Sequence, residues 1–114
     1  MTDLLLVPRR LAIQILHEAQ IAQPAAMHGW VYERDGKPAV FRLAAADMGT
    51  HRADESLWAR LWSKPTEPAV PAPAELREGL INLVVSLNTK GVLEMRAWEL
   101  VAGSAVEREL RVED

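Results

Sequence analysis

The chain has 114 residues, of which 49% are hydrophobic and 25% charged, with a formal net charge of −3. That length and balance fit a single globular domain over residues 1–114 with a modest core, and the negative balance offers no basic surface to DNA or RNA. The absence of cysteine excludes disulfides, thiolate metal sites and a cysteine nucleophile, and is compatible with a cytoplasmic protein.

"LLLVP" (residues 4–8) predicts a short strand stopped by proline. With Asp3 before it and so few apolar residues, it does not read as a signal peptide. "PRRLAIQILHEAQIAQ" (residues 8–23) predicts a helix: Pro8 suits the first turn, Leu11, Ile15, Ala19 and Ala22 recur at helical spacing, and Pro24 ends it. "MHGWVYERDGKPAVFRLAA" (residues 27–45) predicts a hairpin turning at Asp35-Gly36, since both residues tolerate positive φ. Residues 45–56 are the least patterned and read as loop with a helical turn. "LWARLW" (residues 57–62) leaves strand and helical turn in competition.

A loop with four prolines follows, Pro65, Pro68, Pro71 and Pro73. "AELREG" (residues 74–79) predicts a short helix started by Pro73 and stopped by Gly79. "LINLVVSL" (residues 80–87) is a near-continuous β-branched run and predicts a central strand. It is also too short to span a bilayer, and no membrane association is expected. Residues 91–113 alternate and predict a second hairpin turning at Gly103-Ser104. The sum is an α/β or α+β domain of five or six strands and two helices.

Chemistry is sparse along this chain. His17, His28 and His51 show no H-x-H or H-E-x-x-H spacing, so no local pair makes a zinc site. His28 and His51 could still meet in space. Ser63, Ser86 and Ser104 lack a G-x-S-x-G context, and the glycines form no phosphate-cradling loop. Glu107, Glu109, Glu113 and Asp114 read as solvated strand faces. Trp30, Trp58, Trp62 and Trp98 read as core or interface anchors, with an aromatic ligand pocket as the sharper option.

The segment "WSKPTEPAVPAPAEL" followed by "LINLVVSL" and "EMRAWEL" resembles the JAMM/MPN domain in its prokaryotic, JAB-type form. That family carries H-S-H-P-T-x-P-A-x-P-S-x-x-D, then a strand ending V-S-L, then a strand with R-A-W or R-A-F. Here Ser63, Pro65, Thr66, Pro68, Ala69 and Pro71 stand at that spacing, as do Val85-Ser86-Leu87 and Arg96-Ala97-Trp98. The opening residues 4–30 look like the family's first strand, long helix and next strand. The resemblance covers nearly the whole chain, with residues 46–57 shorter than the family's usual helix and strand, and it turns "LWARLW" into the strand leading into the loop. It implies a cytidine-deaminase-like, curved, mostly antiparallel mixed sheet flanked by one long N-terminal helix and one short helix.

The family is a zinc isopeptidase or hydrolase fold in which two histidines and an aspartate bind the metal, an upstream glutamate is general base, and a serine helps hold the oxyanion. Carried over by position, the histidines are Trp62 and Lys64, the serine is Ala72, the aspartate is Glu75, and the glutamate falls at Ala26. Indole nitrogen only donates, an ammonium repels a dication, Ala26 supplies no base and Ala72 no hydroxyl, and one carboxylate does not hold zinc. The resemblance therefore implies a degenerate member, a pseudo-isopeptidase with no cofactor, in which Trp62, Ser63, Lys64 and Glu75 line a binding surface. Lys64 and Glu75 are expected to converge as an ion pair, with Trp62 filling the remaining volume and shielding the pair from water. The implied partners are a ubiquitin-like or β-grasp sulfur-carrier protein, whose tail the active members clamp by strand addition, or an active JAMM protein. Two alternatives stand beside this. One is a zinc-dependent hydrolase with a relocated site built from His28, His51, Asp47 or Glu55 with Glu75; the other is a homodimer through the tryptophan-rich face.

Overall fold

A computed structural model describes residues 4–43, 56–87 and 94–113. The elements run β1 (Leu5–Pro8), α1 (Arg9–Ala22), β2 (His28–Arg34), β3 (Lys37–Leu43), β4 (Ser56–Lys64), β5 (Ile81–Ser86), β6 (Glu94–Val101), β7 (Ser104–Arg108) and β8 (Leu110–Glu113), with one 3-10 turn at Pro73–Glu75. Six strands form a sheet in the order β3-β2-β4-β5-β6-β7, and β1 pairs with β8 in a separate two-stranded sheet. The large sheet is antiparallel throughout except for the β4–β5 pair. This is the mixed α+β, mostly antiparallel architecture expected from the sequence.

The helix covers one face of the sheet. Its buried stripe is Leu11, Ala12, Ile15 and Ala19, and it joins Val7, Met27, Val31, Phe41, Ala59, Leu61, Leu83, Val85 and Ala97 in the main core. The sheet contributes alternate residues to this core, because successive strand side chains point to opposite faces. The other face holds a smaller cluster of Trp62, Ala69, Leu76, Val84 and Trp98. Since Ala69 and Leu76 lie between β4 and β5, the proline segment is the cover of this second face.

Both hairpins close through two-residue turns in which each central residue has positive φ. Asp35 (φ 53) and Gly36 (φ 79) turn at the expected place, between the paired Arg34 and Lys37. The second turn is one residue earlier than the sequence suggested, at Ala102 (φ 51) and Gly103 (φ 81), because Val101 pairs with Ser104. The strand expected to run on to residue 113 breaks at Glu109. The chain then leaves β6 to pair in parallel with β1, Leu5 opposite Leu110 and Val7 opposite Val112.

The short helix expected over residues 74–79 is only a single 3-10 turn. Gly79 takes φ 84, and the buried Asn82 side chain captures the chain in between: its Oδ1 accepts from the Arg77 N–H at 3.1 Å and its Nδ2 donates to the Arg77 carbonyl at 3.2 Å. Those backbone groups are unavailable to a helix. The expectations for residues 45–55, including His51, Asp47 and Glu55, lie outside the described residues.

Gly29 is required for a packing reason that no local pattern showed. A Cβ built there would stand 2.2 Å from Phe41 Cε1 and 2.8 Å from the Arg42 carbonyl oxygen. The aromatic ring of β3 lies directly on the β2 backbone. Gly29→Ala is expected to cost about 1–3 kcal/mol by overpacking, lowering the thermal midpoint by roughly 4 °C per kcal/mol. An unchanged melting temperature would show that the ring moves aside without cost.

Candidate functional site: the cleft beside the proline crossover

Two parallel neighbours cannot be joined by a tight turn, so the β4–β5 pair needs a crossover. Residues 65–80 provide it. Their four prolines remove four N–H donors and fix φ, so the segment makes little secondary structure of its own and its carbonyls need partners from elsewhere. The outward-facing side chains of β4, β5 and β6 supply them. Ser86 Oγ donates to the Glu67 carbonyl at 2.6 Å, Trp98 Nε1 to that of Ala69 at 3.1 Å, Lys64 Nζ to that of Val70 at 3.3 Å, and Arg60 Nη1 to that of Glu75 at 2.6 Å. Glu94 Oε1 accepts from the Ala69 N–H at 3.4 Å.

A cleft of about 340 Å³ opens where β4 runs into this crossover, lined by Ala26, His28, Trp62, Ser63, Lys64, Glu67 and Glu75 among others. The structure thus brings together four of the five positions singled out by the resemblance. The fifth, Ala72, acts through its backbone: its N–H donates to Glu75 Oε1 at 2.8 Å. Lys64 and Glu75 do converge, with Nζ 3.0 Å from Oε1. Lys64 also lies 3.6 Å from the Glu67 carboxylate. Ser63 is buried, and it clips the approach to β2: its Oγ accepts from the Met27 N–H at 2.7 Å and its own N–H donates to the Met27 carbonyl at 2.8 Å.

Trp62 does not shield the ion pair as expected. Its ring is buried in the second-face cluster, and the Arg60 guanidinium lies 4.5 Å from the ring centroid. The Lys64 side chain is only 13% exposed but that of Glu75 is 41% exposed. The pair is covered at its cationic end and open to water at its anionic end. The Ala72 N–H is the main reason the Glu75 carboxyl titrates below its ordinary value; partial desolvation opposes the shift and the Lys64 ammonium adds to it.

Sequence reasoning missed Arg60, Asn82, Glu94, Ser86 and Trp98 as the set that holds the crossover. Their one common signal is parity: positions 60, 62 and 64, 82, 84 and 86, and 94, 96 and 98 fall on one sheet face once the registers Trp62–Val84 and Val84–Arg96 are known.

No protein-family model and no curated protein matches the sequence. The fold is nevertheless that of known structures. A protein from Desulfitobacterium hafniense matches with a TM-score of 0.74 at 17% identity, covering 98% of this chain and 94% of that one. A JAB1/MPN domain protein from Archaeoglobus fulgidus matches with a TM-score of 0.67 at 16% identity, covering 96% and 99%. A protein from Salinibacter ruber matches at 0.64 and 19%, covering 96% and 92%. At these identities the likeness establishes an MPN-like fold.

An MPN-like fold raises the question of zinc, and the donor set at the corresponding positions does not fit it. Trp62 offers no lone pair, and the Lys64 ammonium stands against the single carboxylate, that of Glu75. Among the described residues, no three histidine, aspartate or glutamate side chains come together as a metal site.

Lys64 bonds to the Val70 carbonyl and to Glu75 and lies near Glu67, so Lys64→Met is expected to cost about 1–2 kcal/mol in denaturant melts and Glu75→Gln less. The coupling in the double-mutant cycle should be about 0.5–1 kcal/mol, as for a half-exposed pair; additive effects would show that Lys64 acts without Glu75. Because folding lowers the Glu75 pKa, the native state holds its ionised form more tightly than the unfolded chain does. Its contribution is complete above the ordinary value of about 4.5 and disappears as acid takes the pH through the lowered native value. The stability difference between wild type and Glu75→Gln should therefore shrink below about pH 4.5; a difference constant down to pH 2 would refute this assignment.

Proposed function

We propose that this chain is a single, non-catalytic MPN-like domain, a cytoplasmic pseudo-isopeptidase that works by binding a protein. The observation that carries this reading is the Lys64–Glu75 pair, 3.0 Å across, at the positions where the resemblance would have a metal ligand on each side. An ammonium held by a carboxylate, by the Val70 carbonyl and near Glu67 ties down the crossover without a dication. Lys64, Glu75 and Ser63 are thus spent on architecture, while a cleft of about 340 Å³ stays open beside them. The chemistry of such a cleft suits the tail of a ubiquitin-like or sulfur-carrier protein, or a surface of an active JAMM protein.

The alternative is a hydrolase with a relocated metal site. His28 and Glu75 line the same cleft, which favours it to that extent, but Glu75 is already committed to Lys64 and Ala72.

Protein purified in excess zinc is expected to hold well under one zinc per chain and to leave a linear ubiquitin-like fusion uncut. Titration with a sulfur-carrier protein bearing a free C-terminal tail should move the NMR signals of His28, Trp62 and Lys64. Stoichiometric zinc with chelator-sensitive cleavage would overturn the reading in favour of the relocated site. Absence of any shift with the carrier would remove that partner class.

A further inference from the structure

The sheet face that carries the proline crossover also carries cations, and two of them are already matched. Lys64 faces Glu75. Arg96 makes a two-point pair with Glu107, Nε to Oε2 at 2.7 Å and Nη2 to Oε1 at 2.6 Å. Arg60 and Arg77 differ from these. Neither makes an ion pair with a carboxylate among the described residues. Each instead lies over an indole, Arg60 at 4.5 Å from the Trp62 centroid and Arg77 at 5.8 Å from that of Trp30.

The two are neighbours. Trp30 is opposite Arg60 in the β2–β4 register, so the indole beneath Arg77 stands next to Arg60. Burial, and after it the charge of Arg77, pulls Arg60 below the ordinary arginine pKa, against the opposing charge of Glu75. The two like charges therefore act on one another, with the Glu75 charge opposing the effect on Arg60. The Trp30 indole N–H, buried in the same place, has no acceptor among the described residues.

We propose that Arg60 and Arg77, each laid on a tryptophan, form a recognition site for the carboxylates of an acidic peptide segment on a partner protein. Arg60 already donates one Nη1–H to the Glu75 carbonyl at 2.6 Å, which with the ring holds its guanidinium in place; its other N–H groups and those of the Arg77 guanidinium are left for a charge-assisted carboxylate contact. One or two local carboxylates fit better than a polyanion, because the Glu75 charge already acts on Arg60 and the chain as a whole carries a net charge of −3. The site does not depend on the cleft being inactive; a cleaving enzyme could carry it equally well.

The test is titration of the ¹⁵N-labelled protein with a blocked Gly-Glu-Glu-Gly peptide, read at the indole N–H signals of Trp30 and Trp62. Both signals are expected to shift with saturation, and the Gln-Gln counterpart should produce no shift. Arg77 is exposed, so Arg77→Gln leaves the fold intact and should weaken binding about tenfold or more, the loss expected for a charge-assisted contact. Arg111→Gln, the same charge change on β8, should leave binding as it was. The proposal is overturned if the Gln-Gln peptide or inorganic phosphate binds as well as the acidic peptide. Equal weakening by Arg111→Gln, or tighter binding of a short oligonucleotide, overturns it too.

Discussion

Everything on the functional side of this protein hangs on one parallel strand pair. β4 and β5 lie side by side in the same direction, Ala59 opposite Ile81 through Lys64 opposite Ser86, so the chain must travel back over the sheet between them. In many α/β proteins a helix makes that return and satisfies its own backbone. Here a proline-rich segment makes it, and an extended segment with few N–H donors cannot. The sheet has to hold it by side chains, and the outer faces of β4, β5 and β6 are consequently filled with Arg60, Lys64, Asn82, Ser86, Glu94 and Trp98. The polar composition of that face is a structural requirement before it is a chemical one.

This requirement explains why the same few residues recur in every part of the molecule's electrostatics. Lys64 donates to Val70 and to Glu75 at once, and Glu75 accepts from Ala72 as well. Arg60 anchors the Glu75 carbonyl while its guanidinium lies on Trp62. Trp98 buries its ring beside Trp62 and donates to Ala69. A change at any of these positions acts on the position of the crossover, and through it on the shape of the cleft. Coupled effects rather than additive ones are the expected behaviour of such a network.

Much of this was legible in the chain. The helical stripe, the Asp35-Gly36 turn and the buried run of β5 are local patterns, and local patterns survive folding when the core agrees with them. The proline spacing pointed to the MPN-like architecture, and the resemblance implied that Lys64 and Glu75 converge. Where the reading failed, a distant partner had intervened. Asn82 took the backbone groups that a helix at residues 74–79 would have used. Pairing with β1 drew Leu110–Glu113 out of the second hairpin. Glu75 stayed open to water at its carboxylate, while Trp62 took the core place expected of it.

The sequence by itself determined the periodicities and the turn chemistry, since each of these depends on residues within a few positions of one another, and its resemblance named the groups at the cleft. The tertiary structure decided which of those groups meet. Ser63 against Met27, Ser86 against Glu67, Gly29 beneath Phe41, and Arg77 over Trp30 beside Arg60 are all contacts between segments far apart in the chain. They follow from strand order and register, and a one-residue slip in register would send the strand side chains among them, such as Ser63, Ser86 and Trp30, to the opposite face of the sheet.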